Sequence, residues 1–92
     1  MKGWRGGDLG RLSMPPLIAA VEAAAERLDP PSVADALGGK GTDLCRSYYL
    51  ARARGRITVR MAENVCDQIG RHPAELWGQS YYKAAIPERS RA

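Results

Sequence analysis

Apolar residues recur along this chain with the spacing of amphipathic helices, and the first such segment begins at Pro15 and Pro16. A proline pair suits the first turn of a helix, whose amide groups have no partner within the helix. Apolar side chains then fall three and four positions apart until residues 29–31, Asp-Pro-Pro, stop the helix. These positions are Leu17, Ala20, Val21, Ala24, Ala25 and Leu28.

A short second helix and a longer third one are predicted on either side of a glycine-rich turn. Ser32 is a good N-cap for the second helix, which residues 38–39, a glycine pair, bring to an end. Thr42 starts the third helix, which runs to Gly55. Its inward side is predicted to carry Leu44, Ser47, Tyr48 and Ala51.

Two further helices complete the prediction. Thr58 caps a fourth helix that closes at Gly70, and Pro73 takes the first position of a short fifth helix. Residues 56–60 come nearest to a strand, but they are more simply interpreted as a turn that enters a helix. The predicted fold is all-α, a compact bundle of about five short helices. The core is predicted to contain Leu37, Leu44, Ala62, Ile69, Leu76 and Trp77.

The chain is short enough to predict one folded domain with two flanking segments. Residues 1–14 contain four glycines and no helical period, and they predict a flexible basic arm. Residues 15–86 form the predicted domain, and residues 87–92 a charged tail. No apolar run approaches the roughly 20 residues of a membrane span, and the first residues lack the apolar stretch of a secretory signal. We expect a cytoplasmic protein of a bacterial cell.

The candidate chemistry of the chain is sparse. Cys45 and Cys66 lack the spacing of zinc ligands and are predicted to be small buried apolar residues. His72 stands directly before Pro73 and is expected to cap the fifth helix. No pairing of a nucleophile with a base accompanies it. We therefore predict neither an enzyme nor a metal or cofactor site, and no small-molecule substrate.

Positive charge is concentrated in the middle of the chain. The formal net charge is +4, and residues 40–60 hold six basic side chains against Asp43 alone. The basic residues are Lys40, Arg46, Arg52, Arg54, Arg56 and Arg60. A solvated basic face would also show this pattern, yet such clustering suits a polyanionic partner.

The second and third predicted helices have the residue spacing of a helix-turn-helix. Ala34 is the small residue that faces the partner helix, and Leu37 is the inward leucine before the turn. Gly38 provides the turn, and Leu44 is the apolar anchor of the second helix of the motif. In this motif the second helix presents polar side chains to the major groove of DNA.

The predicted outer side of the third helix supplies candidate DNA contacts. Base contacts are expected from Lys40, Thr42, Arg46 and Tyr49. Phosphate contacts are expected from Arg52, Arg54, Arg56 and Arg60. Arg5 and Arg11 of the arm are candidates for contacts in the adjacent minor groove.

Two stretches resemble a family of small helix-turn-helix proteins of actinobacteria and their phages, which includes immunity repressors and Cro-like regulators. The first stretch is LARARGRITVRMAE, residues 50–63, and the second is QIGRHPAELWG, residues 68–78. The resemblance covers roughly residues 32–78, and His-Pro-x-x-Leu-Trp is its most distinctive part. Gly39 and Lys40 depart from the family, which usually has valine or isoleucine and then serine at these two positions.

The resemblance implies sequence-specific binding of double-stranded DNA by a repressor or Cro-like regulator. Two alternatives stay open, namely an excisionase or other architectural DNA-binding protein, and a protein-interaction module that binds a host protein. Such regulators often bind as two-fold dimers. Leu76, Tyr81 and Tyr82 are the candidate contact surface of a homodimer.

Overall fold

Residues 11–85 are described by a computed structural model, and they form six helices and two short strands. The order is β1 (Arg11–Ser13), α1 (Pro15–Glu26), α2 (Val33–Ala36), α3 (Asp43–Arg54), β2 (Arg56–Thr58), α4 (Val59–Ile69), α5 (Pro73–Trp77) and α6 (Gln79–Ala85). The mostly helical prediction is confirmed. A sixth helix, α6, was not predicted, because its 7 residues make only about two turns, too few to show a helical period. Within these residues, no helix has the length and apolar content that crossing a bilayer requires.

Side-chain caps fix the helix starts where the sequence predicts them. The hydroxyls of Ser32, Thr42 and Thr58 each accept a hydrogen bond from the backbone N–H three residues later. His72 caps α5 in the same sense, since its Nδ1 accepts the N–H of Ala74 at 3.0 Å. Gly55 closes α3 in the left-handed conformation, which a residue with a Cβ rarely adopts.

The prediction of an all-α fold is wrong for two segments. Arg56–Thr58 is a strand, and it pairs antiparallel with Arg11–Ser13 from the segment predicted as an arm. Leu12 lies opposite Ile57, and both side chains are buried, whereas the residues on either side point to solvent. We call this pair of strands the β-ribbon. The predicted arm therefore enters the fold from Arg11 onward, and residues 1–10 lie outside the described residues.

The core lies between α1, α3, α4 and the β-ribbon. Its largest fully buried side chains are Tyr48, Met14, Leu17, Leu37, Val21, Val65 and Cys66. Of the six predicted core residues, Leu37, Ala62 and Trp77 are buried, whereas Leu44, Ile69 and Leu76 are half-buried and pack against the core. On α3, Tyr48 and Ala51 are buried as predicted, whereas Cys45 is buried more completely than its neighbour Leu44. Both cysteines are buried free thiols, as predicted.

Two long-range hydrogen bonds join the start of the fold to its later elements. The indole Nε1–H of Trp77 donates to the carbonyl oxygen of Ser13 at 2.8 Å. The N–H of Met14 donates to the carbonyl oxygen of Gly55 at 3.0 Å. β1 is thereby held against both α5 and the end of α3.

The candidate dimer surface is partly used within the chain itself. Leu76 and Tyr81 pack against the core, and the hydroxyl of Tyr81 donates to Oε2 of Glu63 at 2.7 Å. This bond raises the pKa of Tyr81 to about 12. Of the three predicted residues, Tyr82 alone is exposed, so a dimer contact stays a prediction.

The position of Trp77 predicts a large loss of stability on truncation. Trp77→Ala removes a buried aromatic ring, and we expect it to lower the free energy of unfolding by about 3–5 kcal/mol. Trp77→Phe keeps a ring but deletes the donor to Ser13, and it should cost less than alanine but at least about 1 kcal/mol. Thermal and urea unfolding measure both values. An unchanged melting temperature for Trp77→Ala would contradict this placement of the side chain.

Candidate nucleic-acid interface

The turn before α3 is built for glycine. Gly38, Gly39 and Gly41 have φ of 97°, 126° and 84°, values that side chains rarely allow. The backbone at position 39 therefore favours glycine, whereas the family that this sequence resembles usually has valine or isoleucine there. The hydroxyl of Thr42 donates to the carbonyl oxygen of Gly39 at 2.9 Å and accepts the N–H of Cys45 at 3.2 Å. The turn and the first residues of α3 are therefore tied to each other.

The two sides of α3 differ sharply in burial. Cys45, Tyr48 and Ala51 face the core. Arg46, Leu50 and Arg54 follow one another at intervals of four residues, so they lie along one side of the helix, and all three are exposed. We call this side the outer face of α3.

An ion pair occupies the first turn of the outer face. Nη2 of Arg46 donates to Oδ1 of Asp43 at 2.6 Å, and the two side chains are 70% and 96% exposed. A pair this exposed contributes little to stability, so another hydrogen-bond acceptor can replace Asp43 at low cost. Asp43 is the one acidic residue of α3.

Two apolar side chains lie beside Arg46. Tyr49 is 43% exposed and rests edge-on against the ring of Tyr48, at 5.3 Å between ring centroids. Leu50 is 57% exposed. Together they border a groove of about 510 Å³, whose full lining is Lys40, Gly41, Cys45, Arg46, Tyr49 and Leu50. We call it the apolar groove.

Three arginines from three elements line a second, smaller depression. Arg11 of β1, Arg54 of α3 and Arg56 of β2 border a cavity of about 170 Å³, together with Leu50 and other residues. We call it the basic cavity. Arg54 and Arg56 share it because Gly55, between them, reverses the chain in a left-handed turn. Arg11 joins them because β1 pairs with β2.

The remaining predicted contact residues lie apart from these two depressions. Nη2 of Arg52 is 4.0 Å from Oε2 of Glu22 on α1, so this arginine is directed toward α1 and not toward the basic cavity. Arg60 is exposed in the first turn of α4 and borders neither depression. Thr42 is half-buried, with its hydroxyl hydrogen committed to Gly39. Arg5 lies outside the described residues.

One member of this surface, Leu50, was missed in the sequence, and another, Arg11, was named only as a minor-groove contact of a flexible arm. Leu50 was passed over, although it stands four residues after Arg46 and the helical repeat alone places it on the outer face. Arg11 was assigned to a flexible arm, and no local signal could have moved it, because its position depends on a strand pairing across three helices. The surface therefore combines hydrogen-bond donors, positive charge and an exposed apolar centre.

Neither depression has the composition of a metal site. In the part of the chain that the structure describes, no three His, Cys, Asp or Glu side chains converge as metal ligands. The lining of the basic cavity contains no carboxylate, which leaves its arginines available to an anion. Guanidinium groups of this kind can donate charge-assisted hydrogen bonds to anionic groups.

Comparison of the chain with protein-family models, with curated proteins and with solved structures gives no match. The resemblance of residues 32–78 to phage and actinobacterial regulators therefore stays a prediction.

The burial of Tyr48 on the inward side of α3 predicts that the free energy of unfolding falls at alkaline pH. Burial raises the pKa of Tyr48 to about 12, whereas an unfolded tyrosine titrates near about 10. The folded state therefore holds the phenolic proton of Tyr48 more tightly than the unfolded state does. The stability that depends on a protonated Tyr48 is complete below pH 10 and is lost between about pH 10 and 12. Tyr48→Phe should flatten the fall of unfolding free energy across that window, measured by urea unfolding at successive pH values.

Tyr82→Phe is the matched control for this experiment, because Tyr82 is exposed. Burial also raises the pKa of Cys66 to about 11, and that thiol is present in both variants. If the two variants kept identical pH profiles, Tyr48 would not be the group responsible.

Proposed function

We propose that this chain binds double-stranded DNA sequence-specifically, with α3 in the major groove, and that it regulates transcription as a repressor or Cro-like protein. The observation that carries the proposal is the grouping of Arg46, Arg54, Arg11 and Arg56 on one surface made by the outer face of α3 and the β-ribbon. Such a group of arginines suits a polyanion with a regular backbone.

The dimensions of α3 favour the major groove. Its 12 residues span about 18 Å, and the major groove, about 12 Å wide, admits one helix. In helix-turn-helix proteins the N-terminal part of the recognition helix contacts base edges. Arg46 lies in that part, Lys40 stands on the turn just before it, and Tyr49 lies at the middle of the helix. The guanidinium of Arg46 can exchange Asp43 for the O6 and N7 acceptors of a guanine.

The β-ribbon supports contacts with the DNA backbone in this proposal. Arg54 ends α3, and Arg11 and Arg56 lie on the solvent side of the β-ribbon beside it. Guanidinium groups suit phosphate oxygens because they donate two parallel, charge-assisted hydrogen bonds. A phosphate at the basic cavity would set the position of α3 along the duplex without selecting a base.

The regulatory role rests on the resemblance of residues 32–78 to immunity repressors and Cro-like regulators. A repressor needs only to occupy its operator, and no catalytic group is required for that. The operator and the promoter it controls are questions for binding experiments with DNA from the neighbourhood of the gene.

Salt dependence tests whether the surface binds phosphates. With about five phosphate contacts, the logarithm of the affinity should fall against the logarithm of salt concentration with a slope of roughly −4 to −5. Arg54→Ala should shrink this slope by about one. Fluorescence anisotropy with labelled duplexes measures this slope.

Arg71→Ala is the charge-matched control, because Arg71 pairs with Glu75 at 2.6 Å and borders neither depression. The salt slope of this variant should equal that of the parent. A slope near zero for the unaltered protein would count against DNA as the partner.

Arg46 and Arg54 should differ in what they contribute. Arg46→Ala should cost about 1–3 kcal/mol on the selected site and relax the preference at one or two base pairs. Arg54→Ala should weaken binding to selected and scrambled duplexes about equally, because it removes a phosphate contact. Arg52→Ala, which removes an arginine directed toward Glu22, should affect both duplexes less than Arg54→Ala. The reverse pattern for Arg46 and Arg54 would place a different part of the chain in the groove.

A further inference from the structure

The middle of the outer face of α3 is apolar although its ends are basic. Leu50 stands between Arg46 and Arg54 at four-residue spacing, and it borders both the apolar groove and the basic cavity. Within residues 11–85, the exposed large apolar side chains are Leu28, Tyr49, Leu50 and Tyr82, and Leu50 is the most exposed of them. Two of the four are thus neighbours on the predicted recognition helix.

The packing of the fold gives no reason for a leucine at this position. Leu50 belongs neither to the core nor to the half-buried residues that pack against it. Single exposed leucines are common on protein surfaces and need no explanation. Leu50 differs because it adjoins exposed Tyr49 at the border of one groove and lies midway between two arginines of the candidate DNA surface.

We propose that Leu50, with the ring edge of Tyr49, contacts the 5-methyl group of thymine in the major groove, so that the selected site contains a T·A pair at this point. The proposal rests on the proposed function and deepens it, since it names the base that the apolar centre recognises. Thymine is the base that presents a methyl group in the major groove, and apolar side chains are its usual contacts. Arg46 selects a different edge, because a guanidinium suits guanine.

The charges around the apolar groove favour DNA as its occupant over an apolar protein surface. Lys40 and Arg46 border the groove itself, and Arg54 and Arg56 lie across Leu50 in the basic cavity. A protein partner that covered Leu50 would have to desolvate or pair these cations. A DNA duplex supplies phosphates for the cations and a methyl group for the leucine in one contact.

The test replaces thymine by uracil, which removes the methyl group and leaves every Watson–Crick hydrogen bond in place. A preferred site is first selected from randomised duplexes with the purified chain, and each of its thymines is then changed to uracil in turn. For the unaltered protein, one or two of these changes should weaken binding by about fourfold each, which is the effect of returning one buried methyl group to water. 5-Bromouracil, whose bromine fills the place of the methyl group, should restore the affinity.

Leu50→Ala supplies the second arm of the test. Leu50 is 57% exposed, and alanine favours helix, so the variant should fold like the parent. It should bind the thymine site about fourfold more weakly than the parent and lose its sensitivity to uracil at the same position, so that the two changes are not additive. Leu28→Ala is the matched control, because Leu28 is an exposed leucine that borders neither depression, and it should keep the full response to uracil.

The possible outcomes separate this proposal from the proposed function. If the chain binds a selected site with steep salt dependence but no uracil change matters, the thymine contact is wrong and DNA recognition stands. Retention of the uracil response by Leu50→Ala would also overturn the proposal, since another side chain would then make the contact. If Leu50→Ala matches the parent on every duplex, Leu50 makes no contact with DNA and the thymine proposal fails. If no sequence is selected and binding ignores salt, both proposals fail.

Discussion

The pairing of β1 with β2 is the constraint on which the candidate surface depends. Two strands of three residues each do not form a stable ribbon in water by themselves. The ribbon persists because Leu12 and Ile57 are buried beneath it and because two hydrogen bonds, Met14 to Gly55 and Trp77 to Ser13, hold one of its ends to α3 and α5. The same pairing brings Arg11 to the end of α3. The charge on the candidate surface is thus positioned by apolar contacts on the opposite side of a two-stranded sheet.

The starts of α1 to α5 were predictable because each is encoded within a few neighbouring residues, whereas α1 ends at Glu26, before the predicted stop, and α6 was not predicted. Hydroxyl caps at Thr42 and Thr58 and glycines at the ends of α3 and α4 act locally, and each was identified from the sequence. The inward side of α3 was predicted correctly at Tyr48 and Ala51, but the burial of Cys45 was not assigned to this side. Leu44 and Cys45 are adjacent apolar residues, and which of them is the more buried depends on where α1 and α4 pack. The spacing of apolar residues along α3 does not carry that information.

The β-ribbon could not be predicted for a related reason. Each strand holds one buried residue between two exposed ones, which is too short an alternation to distinguish from a turn. Three helices separate the two strands along the chain. Whether Arg56–Thr58 forms a strand therefore depends on its pairing with the segment around Leu12 and not on its neighbours in sequence. Of the candidate site, the composition of α3 was predictable, whereas the convergence of Arg11 with Arg54 and Arg56 was not.

The hydrogen bond from Trp77 to Ser13 has a consequence for synthesis of the chain on the ribosome. Ser13 is synthesised 64 residues before Trp77, the residue of α5 whose indole donates to its carbonyl oxygen. Helices α1 to α4 can form as they emerge, because their hydrogen bonds are local. The packing of Trp77 in the core and its bond to Ser13 cannot form until α5 has left the ribosomal tunnel. The last contacts of this domain therefore form after the residues of α1 to α5 have all been synthesised, whichever helix forms first.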